Sequence, residues 1–257
     1  MRELEGARVM VTGAAAGAGA EIARQFLGAG ARVAVCDIDA QAVTTMSAAT
    51  PAILGQVCDV GDDAAVDRLF VWLVARFGGL DVLVNNVGIA GPTAKAEDVT
   101  ADDWEHTLRV NVGSHFYCCR RAIPLMKQAG GGAIINISST SARTGLPLRL
   151  PYVVSKAAVL SLTSNLAREL GPSGIRVNAI LPGGMRGERL QKVIGAKAAA
   201  LGVTPAEYES ELVRFISLRT LVEPTDIAAM AVFLASPAAR FVTGQQIGVC
   251  GNVEYEA

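Results

Sequence analysis

Short apolar runs of strand length alternate with longer helical patterns along almost the whole of this 257-residue chain. Strands are expected at Arg8–Val11, Arg32–Asp37, Ala52–Val57, Val82–Asn85, Ala133–Ser138, Arg176–Leu181 and Gln246–Cys250. Helices are expected at Ala18–Ala29, Ala40–Ala48, Asp63–Phe77, Asp103–Gln128, Tyr152–Leu170 and Thr225–Leu234, with a further helical stretch of less clear role before the last. The strand runs are β-branched and lack polar alternation, the pattern of a parallel sheet buried on both faces. Repeated βα units with right-handed crossovers build a doubly wound α/β sheet. No linker, repeat or low-complexity tract divides the chain, so residues 1–257 are expected to form one domain.

Composition narrows the function. Lys plus Arg is 23 and Asp plus Glu is 24, so no basic field invites nucleic acid or an anionic membrane. Five cysteines without a CxxC pair indicate neither a disulfide framework nor a metal site, and they fit a reducing cytoplasm. Charges break every apolar run before membrane-spanning length, and acidic residues stand where a signal peptide needs its apolar region. The expectation is a cytoplasmic protein with a small-molecule ligand.

Residues Val11–Ala23 read VTGAAAGAGAEIA, with nine of thirteen Gly or Ala. Glycine inside an element costs roughly 0.5–1 kcal/mol relative to alanine, so something must offset it here. Gly13, Gly17 and Gly19 fall between a strand and a helix. In an open α/β sheet the ligand crevice lies at the carboxyl ends of the strands. Glycines there let backbone N–H groups approach a pyrophosphate, and the helix N-terminus adds its positive dipole end. The small side chain of Ala18 keeps the approach open; the plainer alternative is a tight turn with close helix–sheet packing. The second strand ends in Asp37, where a carboxylate can accept from ribose hydroxyls and repel a 2′-phosphate. No Lys or Arg lies in the loop to welcome that phosphate, which points to NAD.

Tyr152 and Lys156, in YVVSK, share one helix face at spacing i,i+4. A tyrosine hydroxyl titrates near pH 10, and a neighbouring ammonium favours the phenolate. That pair suits general acid/base work on a hydroxyl–carbonyl interconversion. Ser138 and Ser139 end the preceding strand, where a hydroxyl could hold the substrate oxygen. Taken alone, YxxxK is more often an exposed pair on a helix face.

Along nearly its whole length the chain resembles the short-chain dehydrogenase/reductase family. The resemblance rests on TGAAAGAG (Thr12–Gly19), CDV with Asp59 and Val60, Asn85-Asn86-Val87-Gly88, Asn111 in VNVGS, Ser139 in NISS, YVVSK, and Arg176-Val177-Asn178 followed by Pro182-Gly183. It implies a Rossmann-type fold, NAD as cofactor, and Asn111, Ser139, Tyr152 and Lys156 as the catalytic set. It also implies cofactor contacts from Gly13, Gly17, Ala18, Gly19, Asp37, Asp59, Val60, Asn85, Tyr152, Lys156, Pro182 and Gly183. Asn111 would hold a water linking Lys156 to solvent. The family often carries Thr five residues after that proline; here Gly187 stands there, leaving the backbone of Met185 as the candidate nicotinamide contact. Ala18 replaces a common Ile, and the chain ends VCGNVEYEA rather than VDGG. Family members pair their long helices into homotetramers, and Gly113, Ser114, Ala157, Ala158, Ser161 and Ser164 would permit that close packing.

The implied reaction is NAD-dependent interconversion of a secondary alcohol and a carbonyl compound. Substrate choice falls to the loop after Ser139 and to residues 183–220. Arg143, Arg149, Arg186 and Arg189 lie there, and arginine suits capture of an acidic group. Arg149 and Arg186 are the candidates for an anionic substrate; the alternative is surface pairing with Glu188, Glu207 or Glu211. His106 and His115 read as structural, and the cysteines as core. Two rivals stand beside this reading: an NAD(H)-sensing protein without turnover on the same fold, and an epimerase or dehydratase of the longer relatives.

Overall fold

The computed structural model describes residues 4–253, and of Arg189 the backbone alone. The strands are β1 (Arg8–Thr12), β2 (Arg32–Asp37), β3 (Ile53–Val57), β4 (Val82–Asn85), β5 (Gly132–Ile137), β6 (Ile175–Pro182) and β7 (Gln246–Val249). They form one sheet in the order β3-β2-β1-β4-β5-β6-β7, with every pairing parallel. The order reverses between β1 and β4, which opens a crevice at their carboxyl ends.

The expected helices are present with shifted ends: α1 (Gly17–Gly28), α2 (Ala40–Ala49), α3 (Asp63–Phe77), α4 (Ala101–Leu108), α5 (Ser114–Ala129), the single turn α6 (Ser141–Thr144), α7 (Leu150–Leu170), α8 (Glu188–Leu201), α9 (Pro205–Arg214) and α10 (Pro224–Ala235). The stretch of less clear role is α8 and α9. Helix α7 starts two residues before Tyr152 because Pro151 suits a first turn.

One expectation needs correction. The run Asp103–Gln128 is not a single α-helix. It starts at Ala101, behind Thr100, whose hydroxyl accepts from the Asp103 N–H at 3.1 Å. It then widens into a π turn over Arg109–Gly113. The Ser114 N–H reaches back to the Arg109 carbonyl, and the Ser114 hydroxyl donates to the Val110 carbonyl at 2.5 Å. Such turns accommodate one extra residue and recur at functional sites; this one carries Asn111.

The lack of polar alternation in the strands has a direct cause. Val9 and Val11 of β1, Val33 and Val35 of β2, and Val82 and Val84 of β4 pack on one face with Ile22, Phe26 and Leu234. Met10, Ala34, Cys36 and Leu83, which alternate with them in sequence, pack on the other face with Leu69, Leu73 and Met126. Both faces of the sheet are therefore core. At the amino end of the sheet Arg8 forks onto Asp81 through Nε (2.8 Å) and Nη2 (2.6 Å), and this holds the Asp81 carboxyl below the usual carboxylate range. No described helix is long and apolar enough to cross a membrane.

Candidate active site

The glycine loop is braced from three sides. Gly13 and Gly17 have φ of +59° and +57°, a region that favours glycine. Gly19 sits so close to the loop that an added Cβ would lie 2.7 Å from Ala14 Cα and 2.7 Å from Asn86 Nδ2, and nearer still to the Gly13 carbonyl oxygen. Asn86 donates from Nδ2 to the carbonyls of Thr12 (3.1 Å) and Gly13 (2.8 Å). Asp37 accepts the Ala15 N–H through Oδ2 at 3.2 Å, which ties the loop to the end of β2.

This loop fits a pyrophosphate. The first N–H groups of any helix lack intrahelical partners. At α2, α3, α4 and α9 a side chain at the cap position accepts one of them. At α1 the cap residue is Ala16, with no side-chain hydrogen bond and no acidic residue in the first turn. The donors of α1 face the crevice beside a glycine loop, where an anion is stabilised.

Asp59 is exposed, and its Oδ1 accepts the Gly61 N–H at 2.8 Å; Val60 is buried beside it. Asn85 is placed differently from the expectation. Its side chain is buried and turned into the sheet, donating to Asn136 Oδ1 at 2.9 Å and to Cys119 Sγ at 3.3 Å. The residue that touches the glycine loop is its neighbour Asn86. The two point to opposite sides because successive side chains alternate along a strand.

Hydrogen bonds join Asn111 to the Tyr152 backbone through Ser155. Asn111 is fully buried; its Oδ1 accepts the Ile89 N–H (2.7 Å), and its Nδ2 donates to the Ile89 carbonyl (3.0 Å) and Ser155 Oγ (2.9 Å). The Ser155 hydroxyl in turn donates to the Tyr152 carbonyl at 2.7 Å. Lys156 is buried and donates from Nζ to the Ile137 carbonyl at 2.8 Å. Gly88 makes room for it, because an added Cβ would lie 2.9 Å from that Nζ. The two serines part ways. Ser138 is buried and donates to the Lys156 carbonyl at 2.8 Å. Ser139 is half-buried, and its Oγ accepts from the Ser141 hydroxyl at 2.9 Å.

Residues 183–187 wall the other side. Gly183 lies against Cys250, where an added Cβ would come within 2.8 Å of Cys250 Cβ. Met185 pairs with Val222 in an isolated bridge, and the Pro182 carbonyl accepts the Thr140 N–H at 3.1 Å. Gly187 has φ +140° and caps α8, so a threonine there would be strained.

The arginines separate as well. Arg186 is about half exposed and pairs with Glu223 at 2.8 Å, a partner not foreseen. Arg143 donates to the Gln246 carbonyl at 2.8 Å. Arg149 is buried, donates from Nη2 to the Ala90 carbonyl at 2.6 Å, and lies 5.4 Å from the Tyr152 ring centroid. The Arg189 side chain, like residues 254–257, lies outside the described residues.

His115 lies fully buried beside this machinery, with Nε2 3.4 Å from the Val87 carbonyl. Burial, reinforced by the Lys156 charge, pushes its pKa down to about 3, so it is neutral at physiological pH. Burial raises the Cys58 thiol to about 11 and Cys119 to about 12, which suits core thiols rather than nucleophiles. Among the described residues no cluster has the makings of a metal site.

A family profile described as enoyl-(acyl carrier protein) reductase matches residues 13–252. The chain is 37% identical over 253 residues to 7alpha-hydroxysteroid dehydrogenase of Escherichia coli K12, covering 97% of this chain and 94% of that one. The chain belongs to the short-chain dehydrogenase/reductase family. Among solved structures, NAD+-bound xylitol dehydrogenase superposes with a TM-score of 0.93 at 28% identity, covering 97% of this chain and all of that one. A 7α-hydroxysteroid dehydrogenase complexed with NADH and 7-oxo glycochenodeoxycholic acid gives 0.90 at 35% identity, covering 99% and 98%.

Proposed function

We propose that this protein oxidises a secondary alcohol to a carbonyl compound, or reduces the carbonyl, with Tyr152 as general acid/base. Its enzyme class is that of the family, an NAD-dependent dehydrogenase acting on CH–OH groups. When bound, NAD supplies the hydride acceptor; the protein supplies position and electrostatics. The uncapped start of α1, Gly13, Gly17, Ala18 and Gly19 would hold the pyrophosphate. Asp37 would take the adenosine ribose, and Asp59 and Val60 would border the adenine. Asn85 through its backbone, Pro182, Gly183 and Met185 would line the nicotinamide end, which is also where Gly187 leaves no side-chain hydroxyl.

The observation that carries the proposal is that Asn111, through Ser155, holds the Tyr152 backbone carbonyl at the start of α7, one turn before buried Lys156. Ser139 and Tyr152 would hold the substrate oxygen between two hydroxyls. Tyr152 would take the hydroxyl proton as the carbon gives up hydride. Lys156, buried and held by the Ile137 carbonyl, would place its charge beside the reacting groups. Asn111 fixes the Ile89 backbone and the start of α7, and so sets where Tyr152 stands; a water between it and Lys156 would carry the proton onward. An NAD+-coupled screen of secondary alcohols, hydroxy acids and polyols, read as NADH absorbance, tests the proposal. Tight NADH binding with no turnover of any alcohol would favour the sensing alternative.

The proposal extends to assembly. Phe116 of α5 and Leu150 of α7 are 47% and 42% exposed, apolar side chains that the helix–helix interfaces of a homotetramer would cover. Ser114 contributes to packing inside the protomer instead, since it is buried. Sedimentation showing only monomer at micromolar concentration would refute this. All five cysteines are unpaired thiols, in keeping with a cytoplasmic setting.

A further inference from the structure

The proposed reaction leaves Arg149 without a role, although it is 3% exposed and stands directly before α7. Its carbonyl accepts the Val153 N–H at 3.0 Å, in the first turn of that helix. Its side chain lies over the same turn, with Cζ 5.4 Å from the Tyr152 ring centroid, within the range of a cation on an aromatic face. The same guanidinium reaches the segment after β4, donating from Nη2 to the Ala90 carbonyl at 2.6 Å. A planar group with five N–H donors can lie on a ring and donate from its edge at once.

Ile89 and Ala90 are thus held by two different side chains, and each of these also bears on Tyr152. Asn111 bonds both the N–H and the carbonyl of Ile89 and reaches the Tyr152 carbonyl through Ser155. Arg149 bonds the Ala90 carbonyl and lies against the Tyr152 ring. The first holds the main chain of the acid/base and the second its side chain. A further tie runs beside them, from the Ala94 N–H to the Leu148 carbonyl at 3.0 Å. Leu148 has φ +66°, a left-handed conformation that a bulky side chain rarely adopts. Such conformations persist where the surroundings over-determine them, and they cluster at functional sites. This one lies between the bond to Ala94 and the residue that carries the guanidinium. We infer that Arg149 is a positioning residue for the proposed reaction: braced on the Ala90 carbonyl, it fixes the Tyr152 ring, and with it the phenolic oxygen, relative to residues 89–94. This rests on the dehydrogenase reading above and adds a residue to it. An arginine with this role serves acidic and neutral alcohols alike.

Two variants test this. Arg149→Met keeps part of the apolar stem and removes the guanidinium. Arg149→Lys keeps a cation, but a single ammonium cannot lie over the ring and bond Ala90 equally well. Turnover and KM for the best alcohol of the NAD+ screen, NADH affinity and thermal unfolding are measured for each. A misplaced acid/base should lower kcat by roughly 10- to 100-fold in Arg149→Met. Loss of one contact should lower it by roughly 2- to 10-fold in Arg149→Lys, which carries the test if Arg149→Met does not fold. KM and NADH affinity should stay near their wild-type values in both. A second readout needs no catalysis. In protein labelled with 3-fluorotyrosine, the fluorine resonance that Tyr152→Phe removes should shift in both variants, while that of Tyr117 stays. Wild-type kcat in the folded variants overturns the inference, and so does an unmoved Tyr152 resonance. A loss confined to KM for acidic alcohols would make Arg149 an anion receptor and overturn it too. If the wild type oxidises no alcohol while the resonance shifts in the variants, the dehydrogenase reading falls and the hold of Arg149 on Tyr152 stands.

Discussion

Gly19→Ala adds one methyl group to α1 and should disable the nucleotide loop. The methyl carbon would lie 2.7 Å from both Ala14 Cα and Asn86 Nδ2, with the Gly13 carbonyl oxygen closer still. Ordinary van der Waals contact starts near 3.4 Å, so the neighbours must move by about 0.7 Å or more. Two of the three are backbone atoms and cannot swing aside. Overpacking of this kind costs roughly 1–3 kcal/mol, which exceeds the roughly 0.5–1 kcal/mol that alanine gains over glycine inside a helix. The displaced atoms belong to the loop expected to meet the pyrophosphate. If the clash appears in binding rather than folding, NADH affinity falls by roughly 5- to 150-fold. Gly28→Ala is the control, because an added Cβ at the far end of the same helix has nothing within 4 Å. It should raise stability slightly and leave NADH binding alone. Fluorescence titration of NADH and thermal unfolding of both variants read the contrast. Wild-type NADH affinity in Gly19→Ala would refute the claim that this glycine is demanded by close approach to the loop.

Two further outcomes follow from the same structure. Wild type should prefer NAD over NADP by roughly 10²-fold in kcat/KM through the Asp37 carboxylate, and Asp37→Ser should narrow that ratio and weaken NAD itself, because the Ala15 N–H also loses its acceptor; equal use of both cofactors by wild type would contradict this. His115 has a folded pKa of about 3, below its unfolded value of 6.5, so between these pH values the unfolded chain holds more protons and stability falls as pH drops. That loss should reach roughly 3 kcal/mol by pH 4, and urea unfolding at pH 7 and pH 4 should show a smaller loss in His115→Gln; identical losses would remove His115 from the account.

The strands and most helices were legible because a sheet buried on both faces writes unbroken apolar runs, as at RVAVCD and AIINIS. The π turn was not, since nothing in RVNVG distinguishes an added residue in the helical turn from ordinary helix. At the site, spacing was enough for Tyr152 and Lys156, which lie on one helix and need no tertiary information. Asn85 and Asn86 were harder. Both are asparagines at a strand end, and only the alternation of β4 decides that the second faces the glycine loop while the first is buried against Asn136. Arg149 and Arg186 look alike in sequence, yet one is buried over Tyr152 and the other is paired at the surface with Glu223, 37 residues away along the chain (223 − 186). Partners so distant are set by the packing of α8–α10, which no local pattern records.

The central claim is that Tyr152 moves the proton. Tyr152→Phe keeps the ring and removes the hydroxyl, and it leaves the glycine loop and Asp37 untouched. The deciding measurement is the rate of NADH formation from NAD+ and the best alcohol of the screen, at saturating concentrations, for wild type and Tyr152→Phe, beside NADH affinity for both. A loss of roughly 10²–10⁴-fold or more in turnover with unchanged NADH affinity is expected for a positioned acid/base. Near-wild-type turnover in Tyr152→Phe would contradict the account.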